Sequence, residues 1–276
     1  GLPADTATRL AEGLRAALAA SSEDGTPDAP LLPQRVSQLA FLRLLAQGQA
    51  YQLEAPTLWD VTFQTAVAQA ELEARDYAGA YHRVAFHKAD GSPVHIETTR
   101  PELIPSVVAL IAHPDDERYA DLVGKTVRLP ISNIDIPVIA DTYVDRAFGT
   151  GVVKITPAHD PNDFEVGKRH ALKMPVIMTP EATMADGVDA AGRVPTDLIG
   201  LDRFDARTRI VQQLETEGLL AKKQVHQHAV RHCYRCDTVV EPRLSDQWFV
   251  KMAPLAAPAL QAVRDGTIRI LPERWN

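Results

Sequence analysis

The sequence is poor in several features that define large protein classes. Its 276 residues contain only two cysteines, Cys233 and Cys236, too few for a disulfide framework and compatible with a reducing cytosol. No apolar run approaches the roughly 18 residues of a membrane helix, and the start Gly1–Asp5 lacks the basic and apolar regions of a secretory signal. Basic residues are also in deficit, with 29 Lys+Arg against 36 Asp+Glu and a net charge of −7. That balance argues against a free-standing nucleic-acid binder, and we expect a cytoplasmic protein without a membrane partner.

The pattern of apolar residues along the sequence changes near Gly79. Before it we predict helices at about 5–21, 36–45 and 61–73, because apolar residues recur near helical spacing. After it, short β-branched runs predict strands, and they are separated by helices at about 101–110, 161–172 and 204–217. The predicted strands lie at 81–86, 94–98, 126–129, 136–140, 152–155, 174–178 and, near the end, 267–271. The fold class is therefore α/β, with a β-rich core and a helical N-terminal flank.

The densest polar stretch runs from Phe148 to Asp163. A glycine-rich turn leads into a strand that carries Lys154, and the strand ends at Thr156-Pro-Ala-His-Asp before a helix begins at Pro161. One interpretation is structural, since Asp160 sits at the N-cap and Asp163 in the first helical turn. The other is functional. Lys154, His159, Asp160 and Asp163 would converge on a small ligand, whose ammonium group the carboxylates would bind.

A second polar cluster is Glu97-Thr98-Thr99-Arg100-Pro101-Glu102, where a strand gives way to a helix. Capping explains this pattern too. Alternatively, the threonine hydroxyls could hold an ester carbonyl or a ribose hydroxyl, and Arg100 could hold a phosphate.

The pair Cys233-x-x-Cys236 has half of the spacing of a zinc site. A closed structural zinc site needs four ligands, and the sequence offers no second cysteine pair. His226, His228 and His232 lie nearby in sequence, but we expect no metal here.

These motifs together resemble the editing insertion of valyl-tRNA synthetases. The resemblance rests on TTRPE at 98–102, HPDDERY at 113–119 and GTGVVKITPAHDPNDFEVG at 149–167. It extends to the segments that enter and leave that insertion, LWDVTFQTAV at 58–67 and VEPRLSDQWFVKM at 240–252, so it covers most of the chain from about residue 33. After Pro101-Glu102 the sequence departs from the family pattern, with Leu103-Ile104-Pro105-Ser106 in place of the usual continuation.

The resemblance implies a barrel-like editing domain with peripheral helices at residues 79–225. Residues 1–78 would be a helical segment entering it, and residues 226–276 would return to the catalytic body. The ATP-binding motifs His-x-Gly-His and Lys-Met-Ser-Lys-Ser are absent, so we expect an excised fragment that does not charge tRNA. ATP and Mg²⁺ would serve only the missing body, and editing itself would need no cofactor.

The implied reaction is hydrolysis of threonyl-tRNA(Val) by water, with the tRNA 3′ CCA end and the rest of the synthetase as partners. By resemblance, Asp163 would bind the α-ammonium group, while Lys154 and Asp160 would recognise the threonine hydroxyl. The other expected pocket residues are Thr98, Thr99, Arg100, Phe148, Thr156 and His159, with Thr98 counted with Asp163 and Lys154 as catalytic. Two alternatives stay open: an editing domain of the leucyl or isoleucyl type, and a non-catalytic module that binds the tRNA 3′ end.

Overall fold

The structure is a computed structural model that describes residue 12 and residues 32–275. Contacts along the chain divide it into two compact units, one formed by Gly1–Glu54 with Asp246–Asn276 and the other by Ala55–Ser245. Among the described residues, no helix has the length and apolar character needed to cross a membrane.

The described chain contains four α-helices and ten strands. The helices are α1 (Leu32–Ala46), α2 (Pro161–Arg169), α3 (Arg203–Thr216) and α4 (Met252–Arg264). The strands are β1 (Ala50–Asp60), β2 (Thr65–Ala66), β3 (Leu72–Lys88), β4 (Pro93–Thr98), β5 (Ala109–Ala112), β6 (Thr126–Leu129), β7 (Ile134–Ala140), β8 (Val152–Ile155), β9 (Leu220–Cys233) and β10 (Glu241–Val250). Short 3₁₀ helices lie at Gln69–Glu71, Pro101–Ser106, Glu117–Tyr119 and Glu273–Trp275.

A seven-stranded sheet forms the centre of the Ala55–Ser245 unit. Its strand order is β4-β3-β6-β7-β5-β8, and β9 also pairs with β3. All of these pairs are antiparallel except β5 with β7. The sheet curls into a half-barrel, and its two ends, β4 and β8, contact each other. This curl brings the carboxyl end of β4 towards β8, although the two strands are far apart in the strand order.

The main core lies inside the curl. On β4 burial alternates with period two, as expected for a strand with one face inward, so that Val94, Ile96 and Thr98 are buried. Helix α3 packs against the 3₁₀ helix Pro101–Ser106. The core includes Phe86, Ile96, Leu103, Ile104, Leu110, Leu129, Ile136, Ile177, Ile210 and Leu214. The predicted α/β class with a β-rich, barrel-like core is thus confirmed.

Several expected elements differ from the structure. The helix predicted at 61–73 is wrong, because this segment contains β2, a single 3₁₀ turn and the start of β3. The helix predicted at 101–110 is only a 3₁₀ helix to Ser106, and Ala109–Ala112 instead form β5 between β7 and β8. No strand forms at 174–178, where Met178 makes an isolated bridge, or at 267–271.

Other expectations are confirmed. Strands β6 and β8 have the predicted bounds, and the predicted helices at 36–45, 161–172 and 204–217 correspond to α1, α2 and α3. The helix expected at 5–21 lies outside the described residues, apart from residue 12.

The expected boundaries at 78/79 and 225/226 fall inside β3 and β9, which pair from Leu72↔Cys233 to Val84↔Leu220.

Candidate active site

The loop between β8 and α2 builds the centre of the candidate site. The Asp160 side chain caps α2, because its Oδ1 accepts hydrogen bonds from Asn162 N at 2.8 Å and Asp163 N at 3.3 Å. Pro161 occupies the first helical turn, where its missing N–H costs nothing. Asp163, in the same first turn, is buried, and its Oδ2 accepts from Thr156 N at 2.8 Å and Thr156 Oγ1 at 3.0 Å. The helix start and the strand end are therefore tied together at one carboxylate.

Lys154 joins this centre from β8. Its Nζ lies 3.2 Å from Thr156 Oγ1, so the threonine hydroxyl accepts from the lysine and donates to Asp163. Burial raises the pKa of Asp163, and the nearby Lys154 charge opposes that rise. Burial likewise lowers the pKa of Lys154, against the pull of Asp163. The hydrogen bonds of the Asp163 carboxylate to described residues use Oδ2 alone, which leaves Oδ1 able to accept from a ligand.

The Thr98–Arg100 segment lies at the carboxyl end of β4. Thr98 is buried, and its Oγ1 accepts a hydrogen bond from Arg100 N at 3.0 Å. Arg100 and Asp163 both shift the pKa of Lys154, the first downward and the second upward. The curled sheet thus brings the two polar clusters of the sequence to the same place. Thr99 is half-buried between Thr98 and Arg100.

The Arg100 guanidinium is held by two carboxylates. Its Nε donates to Glu102 Oε1 at 2.9 Å, and its Nη2 donates to Glu241 at 2.6 and 2.8 Å. Burial opposes the charge of Glu102, but Arg100 and Arg207 outweigh it and lower the Glu102 pKa to about 2. The capping interpretation of this cluster therefore omits an ion-pair network that the sequence did not reveal.

Phe148 lies in the loop that precedes β8 and is 66% exposed. The loop turns at Gly149 and Gly151, both of which have positive φ. A Cβ on Gly149 would lie 3.3 Å from Glu97 Oε2, so the loop passes close to β4. This exposure makes the Phe148 ring accessible to a ligand, as its predicted role requires.

His159 is buried instead of facing an open pocket. Its Nε2 accepts a hydrogen bond from Ile177 N at 3.2 Å, and its Nδ1 has no partner among the described residues. Burial lowers its pKa to about 4, so the ring is neutral near pH 7. The ring connects the loop between β8 and α2 to the backbone at Ile177. Its contact with a ligand stays a prediction.

Sequence reasoning missed Tyr143, which lies beside the predicted site and is 47% exposed. Burial raises its pKa, and the charges of Asp163 and Asp160 add to that rise, which places its hydroxyl in the field of both carboxylates. Its backbone N donates to Asp141, a buried carboxylate that also accepts from Arg169 and His170 at the end of α2. No motif marks Tyr143 in the sequence, where it lies six positions before Gly149.

The two cysteines lie next to Asp60. Cys236 Sγ donates to Asp60 Oδ2 at 3.0 Å. Burial opposes the charge of Asp60, but hydrogen bonds from both cysteines and from the backbone N–H groups of Thr62 and Phe63 together outweigh it and lower the Asp60 pKa to about 2. Ligand atoms of Asp60, Cys233 and Cys236 all lie within 4.8 Å of one another. Among the described residues this group offers three donors, one fewer than a closed zinc site. No sequence motif indicates the third donor, Asp60, which lies far from the two cysteines along the chain.

Comparisons with known proteins give the family. Residues 33–276 match the family model for class I tRNA synthetases (I, L, M and V), and the chain belongs to that family. It is similar to valine–tRNA ligases: 49% identical over 245 residues to that of Geobacter sulfurreducens, and 48% over 237 residues to that of Carboxydothermus hydrogenoformans. The valine–tRNA ligase of Symbiobacterium thermophilum is 46% identical over 259 residues. These matches cover 88%, 86% and 92% of this chain, respectively.

The chain spans about a quarter of the length of these relatives, with 27%, 26% and 28% of each covered. The predicted resemblance to valyl-tRNA synthetases is thereby confirmed.

Proposed function

We propose that this chain is an editing module that hydrolyses the ester of threonyl-tRNA(Val). The observation that carries the proposal is the hydrogen-bonded arrangement of the half-buried Lys154 with the buried Thr156 and Asp163, in which Asp163 Oδ1 is left to accept from a ligand. The similarity to valine–tRNA ligases supports the choice of tRNA. We place the protein in the cytoplasm, with the tRNA 3′ CCA end and the rest of a synthetase polypeptide as partners.

The need for such a site follows from the size of the two amino acids. A pocket built for valine cannot strongly reject the near-isosteric threonine, and the valyl enzymes are the standard example of this limit, which is about a hundredfold. A second site must therefore recognise the hydroxyl that distinguishes threonine. A buried polar group there would be left unpaired by valine, which disfavours the correct product.

In the proposed mechanism, Asp163 Oδ1 accepts from the substrate α-ammonium group, and Lys154 with Asp160 contacts the threonine hydroxyl. Thr98, Thr99 and Thr156 line the pocket, Phe148 packs on the terminal adenosine, and His159 supports the loop. Water attacks the ester carbonyl carbon, the C–O bond to the ribose breaks, and the ribose oxygen leaves with a proton. No cofactor takes part, and ATP with Mg²⁺ would serve only aminoacylation.

A deacylation assay with threonyl-tRNA(Val) tests the function. We expect the wild-type chain to release threonine faster than buffer does, and Asp163→Ala to abolish the gain, because the ammonium group loses its acceptor. Removing one partner of a buried ion pair also destabilises a fold, so Asp163→Asn serves as the isosteric variant, with thermal unfolding measured in parallel. Equal rates for wild type and a folded Asp163→Asn at high protein concentration would refute the role of Asp163.

A further inference from the structure

Five charged residues form a buried ion-pair network around Arg100. Within the described chain its members join three separate segments of the Ala55–Ser245 unit: the end of β4 with the 3₁₀ helix after it, helix α3, and the start of β10. Glu102, Arg203 and Glu241 are at most 3% exposed, whereas the Arg100 side chain is 27% exposed. We call this set the Arg100 network; it comprises Arg100, Glu102, Arg203, Arg207 and Glu241.

The network holds one edge of the Arg100 guanidinium by hydrogen bonds and leaves the Nη1 side without a hydrogen bond to a described residue. Glu102 accepts from Nε, and both oxygens of Glu241 accept from Nη2. The hydrogen bonds of the Arg100 guanidinium to described residues use these two nitrogens alone, so the two N–H groups of Nη1 are left for another acceptor. A guanidinium presents its donors in a rigid plane, and holding one edge therefore sets the direction of the other.

The two carboxylates are themselves held in place. Arg203 Nη1 donates to Glu241 Oε2 at 2.7 Å, and Arg207 donates to Glu102 from Nε at 2.7 Å and from Nη2 at 2.8 Å. The network holds three guanidinium groups against two carboxylates and so carries one excess positive charge. Arg100 is at its partly exposed end, beside Thr98 and Lys154, where that charge can meet an anion.

We infer that Glu241 is a positioning residue, which orients Arg100 so that Nη1 binds the phosphate that precedes the terminal nucleoside of the RNA 3′ end. This inference rests on the proposed editing function. It assigns to the first residues of β10 a part in substrate binding, although Glu241 lies 141 positions from Arg100 in the sequence. A purely structural network would stabilise the fold without favouring one substrate over another.

Two small substrates separate these roles: the threonyl ester of adenosine, which has no phosphate, and the threonyl ester of cytidylyl-adenosine, which has one phosphodiester. For Glu241→Gln we expect KM to rise about tenfold for the dinucleotide ester and to stay unchanged for the nucleoside ester. Removing the negative charge of Glu241 would by itself strengthen phosphate binding and lower the KM for the dinucleotide ester. A rise in this KM therefore indicates that Arg100 has lost its orientation. Partial unfolding lowers the apparent kcat for both substrates alike and leaves both KM values in place.

Glu241→Asp keeps the charge but withdraws the carboxylate by one methylene, and we expect the same selective rise in KM. This variant decides the question if Glu241→Gln does not fold. Asp141→Asn is the matched control, since Asp141 is another buried carboxylate with an arginine partner, Arg169. We expect its ratio of the KM for the dinucleotide ester to the KM for the nucleoside ester to equal that of wild type. An unchanged or lowered KM for the dinucleotide ester in both Glu241 variants would overturn the inference while leaving the editing function intact. If the wild-type chain hydrolyses neither ester, the editing function fails, and the inference fails with it.

Discussion

At the scale of single residues, the Thr156 hydroxyl connects the two charged side chains at the centre of the candidate site. It accepts from the half-buried Lys154 and donates to the buried Asp163, so that two opposite charges are joined through one oxygen. Burial opposes both charges, and each charge supports the other. A substrate ammonium group at Asp163 Oδ1 would add a second cation beside the carboxylate. In the proposed function, this second cation would be the α-ammonium group of the threonyl ester.

His159 makes the stability of the fold depend on pH. Its pKa of about 4 in the folded chain is below the ordinary value of 6.5, because burial disfavours the charged ring. Between these values the unfolded chain binds more protons, so stability falls as the pH is lowered from 6.5 to 4. The loss attributable to this ring is about 3 kcal/mol.

Chemical denaturation at a series of pH values checks this prediction. His159→Gln offers an uncharged acceptor for Ile177 N, and we expect it to flatten the dependence of the unfolding free energy on pH between 6.5 and 4. A smaller slope should remain, since burial also lowers the pKa of His82. Identical slopes for wild type and His159→Gln would show that His159 does not titrate in this way.

At the scale of elements, variants of Asp160 at the start of α2 test whether this residue caps the helix, binds the substrate or does both. Its carboxylate accepts from two N–H groups of the first helical turn, so Asp160→Ala should lower the unfolding free energy by about 1 kcal/mol. Asp160→Asn keeps the capping oxygen, and we expect near wild-type stability together with slower threonyl ester hydrolysis. Thermal unfolding and deacylation rates measured on the same samples separate the two roles. Wild-type activity in Asp160→Asn would restrict Asp160 to capping.

The sequence predicts elements well where the local signal and the tertiary environment agree. Strand β8 is a β-branched run between a glycine turn and a proline, and α2 begins with Asp160-Pro161, which is a strong start signal. The clustering of Lys154, Thr156 and Asp163 follows from the same short segment. The ten consecutive positions from Lys154 to Asp163 therefore contain the residues that form the centre of the candidate site.

Prediction fails where distant pairing decides the conformation. The segment at 61–73 has helical spacing, but its end joins β3, whose pairing with β9 overrides local propensity. Ala109–Ala112 forms a strand because β7 and β8 flank it. For the same reason Glu241 and Asp60 could not be assigned to their clusters, since their partners lie far along the chain.

At the scale of the whole molecule, the net charge of −7 limits how tightly the chain can hold RNA. Phosphate contacts supply most of the salt-dependent affinity for nucleic acid, and an acidic chain can make few of them. If the site binds only the 3′ end, we expect weak binding of whole tRNA, with a shallow dependence on salt. Fluorescence anisotropy with labelled tRNA(Val) at several salt concentrations measures both quantities, and tight, strongly salt-sensitive binding would contradict the expectation.

The most direct test of the central claim compares two substrates on the same protein. Threonyl-tRNA(Val) and valyl-tRNA(Val) differ only in a hydroxyl in place of a methyl group, so the ratio of their deacylation rates isolates recognition of that hydroxyl. We predict that the wild-type chain hydrolyses the threonyl ester at least about tenfold faster, because valine would leave a buried polar group unpaired. Equal rates for the two esters, or a faster rate for the valyl ester, would contradict the account.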